Sequence, residues 1–200
     1  MCKDDKVDVS RRKFLAGATS TLGVVGVAAA AVPFVSSMWP SAAAEAAGAP
    51  VKVDLSAMKP GDQVTVEWRG RPVWIIKRTQ EALAGLAKLA PELRDPDSTV
   101  AQQPKYARNL YRSIKPEYLV LVGICTHLGC SPTYRPDRGG VSPDWPGGFF
   151  CSCHGSKFDL AGRVFKGVPA PINLEVPVYA FLNDKEILIG VSPDQAKELA

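Results

Sequence analysis

The chain has 200 residues, 46% of them hydrophobic and 22% charged, with a net charge of +4 at pH 7. That composition suits one folded domain with residues to spare and argues against a disordered or low-complexity chain. Lys and Arg are scattered rather than clustered, which disfavours a nucleic-acid partner, and 17 Gly with 17 Pro favour a loop-rich β fold over a helical bundle.

In chain order, the first feature is Ser10-Arg11-Arg12-Lys13-Phe14-Leu15, the pattern of a twin-arginine export signal. Such signals carry folded proteins across the bacterial inner membrane, which suits a cofactor inserted before export. No charged residue occurs from Phe14 to Ala44. A helix over residues 14–38 would span the ~30 Å hydrocarbon core with some tilt. Its Gly, Ala, Ser and Thr suit close packing against other membrane helices, and Pro33 falls near the far end, where a kink is tolerable. The basic residues before it predict that residues 1–13 form a cytoplasmic tail. Ser41-Ala42-Ala43-Ala44 leaves a cleaved signal peptide as the competing reading, but the uncharged run exceeds the usual ~7–15 apolar residues, which favours a retained anchor. Trp39 then sits at the outer interface, and residues 39–50 read as a flexible, Ala-containing tether that either bends or forms a short helix.

From Val51 to the C-terminus the pattern predicts one antiparallel β domain with a single helical insert. Gln63–Trp68 alternates, Arg69-Gly70 breaks it, and Pro72–Lys77 resumes, which predicts a hairpin. Thr79 is placed to cap a helix running to about Ala90, ended by Pro91. Residues 91–116 carry four prolines and read as irregular. Tyr118–Ile124 is almost continuously apolar and predicts a buried strand. Leu174–Leu182 and Lys185–Val191, around Asn183-Asp184, predict a closing hairpin.

The scarce residues carry the chemistry. There are five Cys and two His, and both His with four of the Cys fall between Cys125 and His154. They form two boxes, Cys125-Thr126-His127-Leu128-Gly129-Cys130 and Cys151-Ser152-Cys153-His154-Gly155-Ser156. Each offers a Cys and a His from one tight loop, and thiolate with imidazole suits zinc, or iron bound also by sulfide. A Cys2His2 zinc site would use one pair from each box but leave Cys130 and Cys153 unexplained. Those two sit at matching positions beside the pairs and can join as a disulfide in an oxidising compartment. Cys2, in the cytoplasmic tail, is read as unpaired.

These boxes resemble those of Rieske proteins, and the two additional cysteines resemble the quinol-oxidising class. Ser10–Leu15, the single anchor, the Ala-rich tether and Gly167-Val168-Pro169-Ala170-Pro171 are also similar to the iron–sulfur subunit of ubiquinol–cytochrome c reductase. The resemblance implies a Rieske-type β fold over residues 51–200, with a small cluster-binding part at about 122–172. It implies one 2Fe–2S cluster, with Cys125 and Cys151 on one iron and His127 and His154 on the other. Neutral imidazoles make such a cluster easier to reduce than an all-Cys one. By the same resemblance Cys130 and Cys153 form the disulfide, Ser156 hydrogen-bonds a bridging sulfide, and residues 167–171 are the proline loop shielding the cluster. Phe158 departs from the pattern, since well-studied members have Tyr there, bonded to a ligand sulfur. The implied reaction takes one electron from ubiquinol at a cytochrome b subunit and passes it to a c-type cytochrome, with His154 closest to the quinol, accepting its proton. The resemblance further implies a dimeric complex in the bacterial inner membrane with the head in the periplasm. A Rieske subunit of arsenite oxidase is the alternative.

Overall fold

The computed structural model describes residues 8–199, so Cys2 lies outside the described residues. The chain divides into two units, residues 1–46 and 47–200.

In the first unit, helix α1 spans Val9–Ser37. It begins before the arginine pair because Asp8 caps it, its carboxylate accepting from Ser10 N and Arg11 N at 3.0 and 3.2 Å. The helix is long and apolar enough to cross a membrane. Thr21 returns its hydroxyl to the Gly17 carbonyl at 2.9 Å, and Ser36 and Ser37 likewise bond backbone carbonyls within the helix. These hydroxyls are therefore satisfied without water. A six-residue helix, α2, occupies Ala42–Ala47 within the tether.

The second unit holds three antiparallel three-stranded sheets. The first joins β1 (Val51–Asp54), β9 (Glu186–Ile189) and β8 (Tyr179–Phe181). The second runs β2 (Gln63–Trp68), β3 (Arg71–Lys77) and β4 (Tyr118–Val122). The third runs β5 (Thr133–Arg135), β6 (Gly148–Cys151) and β7 (Ser156–Phe158). The predicted hairpin is β2–β3, turned by Arg69 and Gly70 at φ 53° and 68°. Two successive positive φ angles give the turn whose twist matches the strands. Val73 to Ile76 and all of β4 are buried, so this pair is covered on both faces. One apolar core links the sheets, joining Val53, Ile75, Leu119, Phe149, Phe158 and Tyr179, and it includes Cys125 and Cys151.

Three elements differ from the sequence reading. Thr79 does cap a helix, its hydroxyl accepting from Ala82 N, but α3 ends at Gly85 and continues as a 3-10 helix over Leu86–Glu92 with Pro91 inside it. Gly85 weakens an α-helix by roughly 1 kcal/mol relative to Ala. The Leu86 carbonyl instead accepts from the buried Arg163 side chain at 2.7 Å. The closing hairpin is shorter than predicted, because Leu174 N and Val176 N bond Gly162 O and Gln102 O, and the Glu175 carbonyl accepts from Val122 N. A further helix, α4 at Pro193–Leu199, packs Ala196 against Ala180 and Val191.

Candidate metal centre

Box 1 leaves the end of β4 through Gly123, whose amide donates to Pro72 O at 2.8 Å. A Cβ on Gly123 would run into the Trp74 indole, and Trp74 is held by stacking on Phe149, centroids 5.3 Å apart. Only glycine fits there. The box closes on itself: Cys125 N donates to Cys130 O at 2.7 Å and Gly129 N to Cys125 O at 3.0 Å. Box 2 fills the turn between β6 and β7 and repeats the motif, with Gly155 N donating to Cys151 O at 2.9 Å. Gly129 and Gly155 adopt φ of 83° and 77°, a region that favours residues without a Cβ. Two similar loops thus face one another, and the Cys130–Cys153 disulfide joins them, Cα atoms 6.7 Å apart.

The sequence-predicted residues come together as two pairs, Cys125 with Cys151 and His127 with His154. Cys125 and Cys151 are buried, free thiols. The Cys151 thiol is pushed up by burial and by its Cys125 neighbour, against the opposing pull of the Cys153 and His154 amides. The His127 and His154 rings lie 4.8 Å apart and nearly perpendicular. His127 Nδ1 is buried with no hydrogen-bond partner, a costly arrangement for a neutral protein nitrogen but the expected one for a metal ligand. Two thiols, two imidazoles and this orphaned nitrogen fit a 2Fe–2S cluster. His154 and Leu128 are exposed.

The flanking segment 167–172 is bound to both boxes. Ala170 N donates to Ser156 Oγ at 3.1 Å, and Thr126 Oγ1 donates to Ile172 O at 2.7 Å. The buried Ser156 hydroxyl accepts there, so its own proton is left to donate. Thr126, Gly123 and Trp74 were not singled out from sequence; their partners lie tens of residues away, and no local spacing marks them. Phe158 is fully buried. Pairing Phe149 with Phe158 and Cys151 with Ser156 puts all four on one face of the sheet.

Residues 50–180 match the Rieske [2Fe-2S] domain family, and residues 1–41 match the ubiquinol–cytochrome c reductase Fe-S subunit TAT signal. The ubiquinol–cytochrome c reductase iron–sulfur subunit of Allochromatium vinosum is 59% identical over 92% of this chain and 90% of its own length. This chain belongs to the Rieske iron–sulfur subunits of ubiquinol–cytochrome c reductase. The corresponding subunit of Blastochloris viridis is 44% identical over 95% of this chain and 98% of its own. A mitochondrial cytochrome b-c1 complex Rieske subunit of Nicotiana tabacum is 47% identical over 71% of this chain and 48% of that protein. As a Rieske subunit of this class, the chain carries one 2Fe–2S cluster and serves in respiratory complex III, and α1 is its candidate membrane span. Nothing in these matches favours the arsenite oxidase alternative.

One consequence concerns the disulfide. Cys130→Ser or Cys153→Ser leaves every candidate ligand in place but reopens a 23-residue loop. Chain-entropy reasoning assigns such a closure ~3 kcal/mol. Either variant should lose its visible absorbance at a lower temperature than wild type. Equal cluster retention on heating in both variants would show that the disulfide does not hold the boxes together.

Proposed function

We propose that Cys125 and Cys151 hold one iron and His127 and His154 the other, and that the head exchanges electrons between ubiquinol at a cytochrome b subunit and a c-type cytochrome. The observation that carries this reading is the buried, unpartnered Nδ1 of His127, on a ring whose centroid lies 4.8 Å from that of His154, in loops that also hold two buried free thiols. When bound, the cluster supplies a one-electron acceptor. The chain's residues do the rest. With His127 buried at Nδ1 and His154 exposed, the outer ring nitrogen of His154 would be the one to take a proton from the quinol hydroxyl. Ser156, kept oriented by the Ala170 amide, would have its hydroxyl proton free to donate a hydrogen bond to the cluster. The apolar core around Cys125 and Cys151 keeps water from the thiolate side.

The export signal and the basic residues ahead of the uncharged run, including Arg11, Arg12 and Lys13 in the first turns of α1, support a cytoplasmic N-terminus and a periplasmic head in the bacterial inner membrane. The tether at residues 39–50 gives the head reach between its two partners, within a dimeric complex.

The decisive experiment purifies the full chain from detergent-solubilised membranes and measures metal, acid-labile sulfide and co-purifying haem. The expected result is about two irons and two sulfides per chain, haem b and haem c subunits alongside, and a rhombic electron-spin signal on reduction with average g below the free-electron value. Stoichiometric zinc without sulfide overturns the assignment.

Phe158 supplies a second test. A hydroxyl reaching a ligand sulfur withdraws charge and favours the reduced state, so Phe158→Tyr should raise the reduction potential. A net hydrogen bond is worth roughly 0.5–1.5 kcal/mol. Only its difference between oxidation states counts, and a tenfold change in equilibrium corresponds to about 59 mV for one electron. The shift is therefore at most several tens of millivolts. Redox titration of wild type and variant, followed by the electron-spin signal, checks it, and an unchanged or lowered potential rejects the account.

A further inference from the structure

The Sγ atoms of Cys130, Cys151 and Cys153 all lie within 4.8 Å of one another. Two of them are joined as the disulfide, and the third is the buried thiol of box 2. A thiolate beside a disulfide is placed for exchange, in which it attacks one sulfur and the other leaves. We propose that the cluster is what withholds Cys151 from this reaction, and that in the cluster-free chain Cys151 captures Cys130 and releases Cys153.

The step needs no outside reagent. A bond forms between Cys151 Sγ and Cys130 Sγ, the Cys130–Cys153 bond breaks, and its electron pair leaves on Cys153 Sγ as thiolate. One thiolate is consumed and one is produced, with no net oxidation. The direction follows from the surroundings. Cys153 is exposed, whereas Cys130 is half-buried and packed against the core, so release of Cys153 puts the new charge in water. Attack on Cys153 would instead join residues two positions apart, inside a turn already closed by the Gly155 amide on Cys151 O. Closures that short are stiff. Cys125, the other buried free thiol, is not among the three mutually close sulfurs, so the exchange is selective for Cys151.

The consequence is a lock. Once Cys151 is tied to Cys130, the thiol left free in box 2 is the exposed Cys153 instead of the buried ligand Cys151, and the site cannot be refilled until the disulfide is reduced. Cluster insertion must therefore precede oxidation of Cys130 and Cys153, an order that a reducing cytoplasm followed by export of the folded head would enforce. This inference rests on Cys151 being a cluster ligand.

The test uses the full chain in detergent. The cluster is stripped under argon with an iron chelator, released sulfide is removed, and free thiols are trapped over time with N-ethylmaleimide and located by peptide mass spectrometry. The expected result is loss of label from Cys151 with an equal gain at Cys153, label on Cys125 unchanged, and a rate independent of protein concentration. The loaded protein should show no gain at Cys153. Persistent labelling of Cys151 overturns the proposal. Parallel loss from Cys125 and Cys151 also overturns it, because it marks scrambling in an unfolded chain. Equal exchange in the loaded protein would refute the cluster's protective role and, separately, the ligand assignment of Cys151.

Discussion

Asp159→Ala should destabilise the head by about 3–5 kcal/mol, the usual cost of leaving a buried charge without its partner. Asp159 is the one buried carboxylate among the described residues, and three buried guanidiniums surround the loop it begins. Its Oδ2 meets Arg163 at 2.7 Å, while its Oδ1 accepts from Ala161 N and Arg163 N at 2.9 and 2.8 Å. Arg78 donates to the carbonyls of Tyr111, Leu160 and Pro116. Arg112 donates to those of Ala161, Gly162 and Leu174. Burial pushes both of these arginines down to about 10, and the Asp159 charge opposes that shift for each. Removing the carboxylate therefore strands Arg163 and makes the other two charges costlier. For a domain of this size the loss corresponds to a drop in Tm on the order of 10 °C. Asp159→Asn keeps an acceptor for the two amides but not the charge, so it should recover only part of the loss. Thermal unfolding of the three proteins decides the matter, and an Asn variant as stable as wild type would show that geometry, not charge, holds the loop.

His127→Gln should abolish the rhombic signal and reduce quinol oxidation to background. The glutamine side chain offers no imidazole nitrogen at the place where Nδ1 is buried and unpartnered, and a 2Fe–2S cluster with one iron short of a ligand is not retained. The disulfide and the core do not involve His127, so the fold should survive, which circular dichroism would verify. Cys2→Ser is the contrasting variant: Cys2 lies outside the two boxes, and its loss should leave both signal and turnover unchanged. An intact signal in His127→Gln, or a lost one in Cys2→Ser, would show that the donors are wrongly assigned.

The sequence by itself determined the features whose physics is local. Cys and His two or three positions apart in a Gly-containing loop are held close to one another whatever surrounds them, so both boxes were legible. So were the uncharged run of α1, the Arg69-Gly70 turn and the buried β4, each set by periodicity or by a backbone angle. Only the tertiary structure decided features set by partners far along the chain. The 3-10 segment at Leu86–Glu92 follows from Arg163 taking the Leu86 carbonyl, 77 residues away. Residues 174–176 are apolar enough to predict a strand, yet their backbone bonds Gly162, Gln102 and the last residue of β4, Val122, instead of the predicted hairpin partner. The short strands β5 to β7 carry too few residues to show alternation and are defined by their mutual pairing. Arg78, Arg112 and Arg163 look in sequence like ordinary surface charges. They are buried because carbonyls from several segments far apart in the chain converge on them, and hydrophobic patterning does not record the direction in which a carbonyl points.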